Sequence, residues 1–429
     1  MCSSDLRVLG MVAASVAVVV CTMIAAHVAG RRAALPAALL AAVLFSSVLL
    51  DAVFTPAELL AVVPSAVSVL LLLSGLGRGD GAALRLAGAG AAAAVALLVK
   101  QSFGDALFAG IAGLAIAGWR VPWRRTAARA GAYAAGVGGV ALGVILWERA
   151  AHTLHHGPDS VSYALTGFRL DAVHALAHGN FASKFASLGT AALGSGLAVA
   201  ALVAMAGIVT LRRRRVTAGV LAAWLAAGLA GVLGGGSYWS HYLIELVPVT
   251  AVGVAALVAW RPRLGVPLAA AALAIGLTTS VDNVALGRPG EYQRGAVVLG
   301  DYLRDRALPG DTAYVLYAKV NALYYSGLPS PFPYHWSLMM MSVPNAERQL
   351  RATLRSPRRP TWIVRAQSTT TFGLDRSGET RRLLRRFYRR VSTTCGVPIL
   401  LARSAGPRPQ ARLHEPCATL PSDGVDVDL

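Results

Sequence analysis

The chain has 429 residues, of which 55% are hydrophobic and only 14% charged, and its formal net charge is +19. A typical soluble domain has roughly a quarter of its residues charged, so most of this chain is not suited to water. The positive charge does not indicate nucleic-acid binding, because the arginines before the C-terminal part lie in short clusters between apolar segments and no basic stripe carries interleaved aromatic residues. The four cysteines contain no C-x-x-C pair, which argues against a zinc ribbon or a disulfide scaffold.

Apolar segments recur from the start of the chain to about residue 280. Each is close to the roughly 20 residues that a helix needs to cross the hydrocarbon core of a bilayer. They predict about ten spans, at residues 8–29, 33–50, 58–76, 83–99, 103–118, 130–150, 189–211, 216–234, 242–260 and 264–280. The fold class is therefore a membrane all-α protein, with residues 1–280 as its polytopic transmembrane domain.

Arginine clusters occupy alternate connections between these spans. They are Arg31 with Arg32, Arg78 with Arg85, Arg120 to Arg129, Arg212 to Arg215, and Arg261 with Arg263. Because Lys and Arg favour cytoplasmic connections, this side is predicted to be inside. The opposite connections, the N-terminus and everything after Val281 then face outward, which predicts a multi-pass protein of the inner membrane with an extracytoplasmic C-terminal domain.

The C-terminal part has short elements of mixed type. Residues 291–306 and 379–390 have helical spacing, whereas residues 312–317, 361–364 and 397–401 are β-prone. Strands that alternate with helices predict a small α/β domain over residues 281–403, followed by a Pro-rich disordered tail over 404–429. Cys395 and Cys417 would share an oxidising compartment there, so a disulfide between them is possible.

Polar residues at the outer ends of spans are candidate functional residues, because polar groups are costly in a membrane. Lys100, followed by Gln101, ends one span, and its ammonium could hold a lipid phosphate or merely extend to the interface to anchor the helix. In the run from Tyr238 to Tyr242, His241 is four residues from Glu245. These two side chains could form an acid/base or substrate-binding pair, while the aromatic residues fit an interfacial belt.

Two carboxylates and five histidines offer further chemistry. Asp51 and Glu58 flank the first outer connection, where they could act as a base or bind a divalent metal. Residues 55–58 also fit a capping box, which would explain Glu58 without catalysis. The long outer connection contains His152, His155, His156, His174 and His178. It has no H-E-x-x-H pattern, so a solvated loop is favoured over a zinc site.

The order of several motifs resembles bacterial members of the GT-C glycosyltransferase superfamily, in the dolichyl-phosphate-mannose protein mannosyltransferase and lipid A aminoarabinose transferase group. The motifs are V-K-Q-S at Val99 to Ser102, G-x-Y-W-S-H-Y-L-x-x-L-x-P from Gly236 to Pro248, D-Y-L-R-D at Asp301 to Asp305, and L-Y-Y-S-G from Leu323. The resemblance covers nearly the whole chain, and it rests on motif order and topology more than on any single motif.

The resemblance implies transfer of a sugar from a polyprenyl-phosphate donor to an acceptor at the outer face of the membrane. The acceptor could be a protein, a lipid or a polysaccharide. Lys100 and Gln101 would then lie near the donor phosphate, with His241, Tyr242 and Glu245 at the mouth of the cavity. No cofactor is certain, although a divalent metal is possible.

The chain departs from the resembled family at its start. The family's catalytic carboxylate lies in the first external loop, where this chain has no acidic residue before Asp51 other than Asp5. We therefore expect about three spans and that carboxylate to lie upstream of Met1, which would leave this chain inactive; otherwise Asp51 is the first candidate base. The alternatives are a transporter or flippase of lipid-linked sugars, and a non-catalytic scaffold for cell-envelope assembly.

Overall fold

The computed structural model describes residues 3–77, 80–119, 121–151, 160–161, 163–176, 181–234, 238–286 and 288–409. Internal packing divides the chain into two units. The first unit comprises Met1–His155 with Asn180–Ala285, and the second comprises His156–Gly179 with Leu286–Leu429.

The first unit is built from apolar helices. They are α1 Ser3–Ala29, α2 Ala34–Phe45, α3 Ala57–Gly75, α4 Ala82–Val99, α5 Asp105–Gly118, α6 Trp123–Ala150, and, after α7 Phe168–Leu176 of the second unit, α8 Phe181–Gly194, α9 Leu197–Thr210, α10 Arg215–Gly234, α11 Val247–Trp260 and α12 Pro262–Ala285. Short 3-10 turns at Arg31–Ala33, Val48–Leu50, Ala52–Phe54 and Ser240–Leu246 connect some of them. The predicted multi-pass helical class is confirmed.

Among the described residues, seven helices are long and apolar enough to cross a membrane, or eight if the bent pair α8 and α9 is one span. Each of the ten predicted segments contains a helix. However, α2 has 12 residues and α5 has 14, and at about 1.5 Å per residue both are shorter than a hydrocarbon core of about 30 Å. The α8 and α9 axes meet at 70°. Hydropathy reports composition and not helix continuity, so ten full spans stay a prediction.

Glycines let several of these helices approach backbone to backbone, a common feature of membrane helix pairs. A Cβ placed on Gly207 of α9 would lie 1.9 Å from the carbonyl oxygen of Gly253 in α11. A Cβ on Gly136 of α6 would lie 1.9 Å from the carbonyl oxygen of Ala87 in α4. Larger residues would separate these pairs.

The second unit contains a small mixed sheet with helices. Its elements are a π-helical turn at Tyr163–Gly167, α7, α13 Arg288–Arg306, β1 Ala313–Val315, α14 Asn321–Ser326, α15 Ser337–Ser342, α16 Ala346–Arg355, β2 Trp362–Val364, α17 Glu379–Phe387, β3 Tyr388–Thr394 and β4 Val397–Ala402. The strand order is β1-β2-β4-β3, with β1 and β2 parallel and the other two pairs antiparallel. These elements agree with the predicted α/β character of the C-terminal part.

The second unit differs from the sequence-based expectations at the end of α17 and in the long histidine-containing connection, and it contains a disulfide-bonded cysteine. The helix predicted over residues 379–390 ends at Phe387, and the following residues begin β3, because Tyr388 is buried and donates a hydrogen bond to the carbonyl oxygen of Pro360 at 2.8 Å. The described part of the predicted solvated loop is helical, and Tyr163 in it donates to Asp171 at 2.9 Å. Cys395 is disulfide-bonded, whereas Cys417 and the tail from residue 410 onward lie outside the described residues.

The glycine contact between α9 and α11 predicts that Gly207→Leu destabilises the protein by about 3 kcal/mol or more, since the added side chain must displace backbone. Gly139→Leu in α6 is the matched control, because nothing lies within 4 Å of a Cβ placed there. That variant should melt at the wild-type temperature or slightly above it. Thermal unfolding of the detergent-solubilised protein measures both, and equal melting temperatures for the two variants would contradict the packing described.

Candidate functional site

Four segments of the first unit bring polar side chains together. The segments are the 3-10 turns over residues 48–54, the first turn of α3, the end of α4, and the 3-10 turn Ser240–Leu246. The side chains are those of Asp51, Glu58, Lys100, Ser240, His241 and Tyr242. This cluster is named the lysine–carboxylate site below.

Lys100 and Glu58 form an ion pair at the centre of the site. Lys100 follows the last residue of α4 in an extended conformation, and its Nζ lies 2.8 Å from Oε1 of Glu58. The Glu58 side chain is 2% exposed and that of Lys100 is 21% exposed. Burying a carboxylate to this extent costs free energy that a neighbouring cation partly offsets. Nζ also lies 5.0 Å from the ring centroid of Tyr242, within range of a cation–π interaction.

The capping-box interpretation of Glu58 is wrong. The helix is capped by Pro56 without any side-chain hydrogen bond. Thr55 has a left-handed backbone with φ of 52°, whereas an N-cap residue is typically in the β region. Glu58 instead faces Lys100, a partner 42 positions away that a local motif cannot reveal.

Asp51 lies beside Ser240 and His241. The Ser240 hydroxyl donates a hydrogen bond to Oδ2 of Asp51, and Nδ1 of His241 lies 3.5 Å from the same oxygen. The other ring nitrogen of His241, Nε2, lies 3.8 Å from Oε1 of Glu58. The imidazole thus stands between two carboxylates, and the Asp51 side chain remains 35% exposed, where a substrate hydroxyl could reach it.

The backbone around the site is strained. Asp51, Thr55 and Tyr238 all have positive φ, at 53°, 52° and 50°. For a β-branched or aromatic residue this conformation is rare, and such residues persist only where the surrounding structure holds them, often near functional groups.

Glu245 does not share the position of His241. Both lie in the 3-10 turn Ser240–Leu246, where residues three apart, not four apart, lie on one face. Glu245 is 2% exposed and packs toward α10, because a Cβ on Gly231 would lie 2.7 Å from its Oε1 and 2.8 Å from the carbonyl oxygen of Ser102. Gln101 is half-buried in the turn that follows Lys100.

Asp105, the first residue of α5, is a buried polar residue that was not predicted from the sequence. It is 1% exposed, and it accepts hydrogen bonds from Ser65 at 3.0 Å, from Nε1 of Trp224 at 2.6 Å and from the backbone of Ala106 at 2.8 Å. These bonds join α3, α5 and α10 directly after the turn that begins at Lys100. An acidic residue inside a predicted span was the available signal.

Metal binding finds no support among the described residues, which contain no group of three or more His, Cys, Asp or Glu side chains suited to an ion. In the lysine–carboxylate site the two ring nitrogens of His241 face different carboxylates. A single ion could therefore not be coordinated by the imidazole and by both carboxylates. His174 is exposed in α7, and His152, His155, His156 and His178 lie outside the described residues.

An open apolar groove of about 530 Å³ lies between α1, α3 and α4. Its lining includes Leu9 and Val12 from α1, Leu60 and Val63 from α3, and Val95 and Val99 from α4. Leu60 follows Glu58 by two residues, and Val99 directly precedes Lys100. The start of α3 and the end of α4, which carry Glu58 and Lys100, thus also contribute residues to the groove, although neither Glu58 nor Lys100 lines it.

No protein-family description and no curated protein matches the chain. A solved structure does match it, the crystal structure of ArnT from Cupriavidus metallidurans bound to undecaprenyl phosphate. The TM-score is 0.57 with 15% sequence identity, and the alignment covers 94% of this chain and 85% of that one. The chain shares the fold of this ArnT structure, in line with the resemblance that the motif order indicated.

The buried ion pair predicts a specific pattern of stabilities. Lys100→Met should lower the free energy of unfolding by roughly 3 kcal/mol, because it leaves the Glu58 carboxylate buried without a cation. Adding Glu58→Gln to that variant should restore most of the loss, since neither charge then remains. Chemical or thermal denaturation in detergent tests this, and a double variant no more stable than Lys100→Met would show that the two charges are not coupled.

Proposed function

We propose that this chain is an integral membrane glycosyltransferase that moves a sugar from a polyprenyl-phosphate donor to an acceptor at the outer face of the membrane. The observation that carries the proposal is the ion-paired Lys100 directly after α4, a helix that also lines an apolar groove, in a fold shared with a protein whose crystal structure contains undecaprenyl phosphate.

The donor would bind by both of its ends. Its polyprenyl chain would occupy the groove between α1, α3 and α4, where burial of apolar surface favours it. Its phosphate would meet the Lys100 ammonium, and the Gln101 amide in the same turn could donate a further hydrogen bond. Glu58 would hold Lys100 in place, and the Lys100 ammonium would then interact with both the Glu58 carboxylate and the donor phosphate.

Asp51 is the candidate general base. In the transfer step the acceptor oxygen forms a bond to the anomeric carbon, the bond from that carbon to the phosphate oxygen breaks, and polyprenyl phosphate leaves. The acceptor proton passes to a base, and a positioned carboxylate typically contributes a factor of about 10² to 10⁴. Asp51 is partly exposed, held by Ser240 and adjacent to His241, and His241 and Tyr242 would lie at the mouth of the cavity.

The orientation in the membrane belongs to the same proposal. The arginine clusters at alternate connections favour a cytoplasmic position for one side. The disulfide at Cys395 suits an oxidising compartment for the second unit. With the C-terminal domain outside, the lysine–carboxylate site would lie at the outer leaflet, where a lipid-linked sugar is consumed.

A transporter or flippase of lipid-linked sugars would also use the groove and Lys100. A transporter would not need Asp51 as a base. An Asp51 variant that loses sugar transfer but still binds the lipid would therefore support the glycosyltransferase over the transporter. A non-catalytic assembly scaffold would need neither sugar transfer nor binding of the lipid-linked sugar.

The proposal predicts that lipid binding and transfer depend on different residues. Relative to Glu58→Gln alone, Glu58→Gln/Lys100→Met should bind undecaprenyl phosphate at least about tenfold more weakly, which corresponds to about 1.4 kcal/mol. Lys100→Arg, which keeps the charge, should bind nearly as wild type does. Asp51→Asn should bind normally but lose transfer by about 10²-fold or more.

Native mass spectrometry of the detergent-solubilised protein measures binding, and transfer from a labelled polyprenyl-phosphate sugar measures catalysis. Unchanged lipid binding without the Lys100 charge would refute its role at the phosphate. Full transfer by Asp51→Asn would assign the base elsewhere.

The orientation predicts that a periplasmic phosphatase fused after Arg306 is active, while one fused after Arg213 is inactive. A fluorescent protein that matures only in the cytoplasm should give the reverse pattern at the same two positions. Fluorescence at Arg306 with no phosphatase activity there would contradict the proposed orientation.

A further inference from the structure

The second unit carries an unusually dense set of positive charges on one helix and its neighbours. Residues 346–403 contain fourteen arginines, three acidic residues and no lysine. Two of the acids are already engaged, since Glu347 pairs with Arg351 and Glu379 pairs with both Arg351 and Arg355. Most of the positive charge in this region is therefore not neutralised within it.

Contacts show that much of this charge forms one continuous surface. Arg355 at the end of α16 pairs with Glu379 at the start of α17. Arg359 stacks 4.0 Å from the ring centroid of Phe387 at the other end of α17, and Arg403 donates to the carbonyl oxygen of Arg385 at 3.5 Å. The surface made by α17, Arg355, the residues 356–359 and Arg403 is named the arginine face.

This arrangement is unfavourable for α17 on its own. In nine residues the helix carries Arg381, Arg382, Arg385 and Arg386, which form two like-charge pairs four residues apart. Such pairs destabilise a helix in water, and an anionic partner removes the repulsion. The apolar residues Leu383 and Leu384 are buried in the unit, so the outward side of the helix is left to the arginines.

Two observations favour a phospholipid surface over a soluble polyanion. The turn before α17 exposes Phe372, which is 54% exposed at a φ of 55°, a conformation rare for an aromatic residue. Asp375 ties this turn to α17, because its carboxylate accepts hydrogen bonds from the backbone of Thr380 and Arg381 at 2.8 and 2.9 Å. An exposed aromatic ring beside arginines is the combination that enters the interface of a bilayer.

We propose that the arginine face, together with Phe372, binds the surface of a bilayer that contains anionic phospholipids. Guanidinium groups suit the phosphodiester headgroups because each can donate two parallel hydrogen bonds to phosphate oxygens. Along the chain, α12 ends at Ala285 and α13 begins at Arg288, so the second unit directly follows an apolar helix in sequence. The proposal does not depend on the transfer chemistry.

Hydrogen–deuterium exchange of the full chain in lipid nanodiscs tests this. With phosphatidylglycerol in the disc, the peptides over residues 371–390 should exchange at least about threefold more slowly than in phosphatidylcholine discs, and the difference should vanish near 1 M salt. Arg382→Gln/Arg385→Gln/Arg386→Gln should remove the protection. The matched control Arg382→Lys/Arg385→Lys/Arg386→Lys, which keeps the charge, should retain most of it.

Phe372→Ser should reduce the protection without changing the melting temperature, and the glutamine variant should melt no lower than wild type because like charges have been removed. Equal exchange in the two kinds of disc, or full protection in the glutamine variant, would overturn the proposal. Protection by soluble polyphosphate in phosphatidylcholine discs, with none from phosphatidylglycerol, would also overturn it and assign the face to a soluble polyanion.

Discussion

The Glu58 carboxylate is 2% exposed at the start of α3, and Lys100 is the cation that compensates the cost of burying it there. The ion pair fixes the start of α3 against the end of α4, the two helices that also form two walls of the apolar groove. It therefore sets the position of the ammonium group and holds together two helices that line the groove. His241 and Tyr242 complete the enclosure by contacting the same two side chains.

The surrounding structure supports this pair from both sides. Asp105 joins α3, α5 and α10 through Ser65 and Trp224, immediately after the turn that begins at Lys100. Asp51 is held in a left-handed conformation by its contact with Ser240, which places a partly exposed carboxylate near the ion pair. The Lys100 ammonium and the Asp51 carboxylate, which we propose as the cation for the donor and the base for the acceptor, are thus kept apart, because Glu58 and His241 lie between them.

The sequence predicted what composition and isolated polar residues can reveal. Lys100, Asp51 and His241 stood out because they are polar residues at the ends of apolar segments, and the structure brings all three together. Glu58 was assigned to a local cap, since its partner is distant in sequence. Glu245 and His241 were placed on one helix face by α-helical spacing, whereas the backbone there is a 3-10 turn. The bend between α8 and α9 and the strand β3 depend on tertiary packing, which periodicity does not encode.

A structure of the full chain with undecaprenyl phosphate tests the central claim most directly. The account predicts the phosphorus within about 4 Å of the Lys100 Nζ, the range of a close ion pair, and the prenyl chain between α1, α3 and α4. A phosphate bound away from Lys100, or a prenyl chain outside that groove, would contradict it.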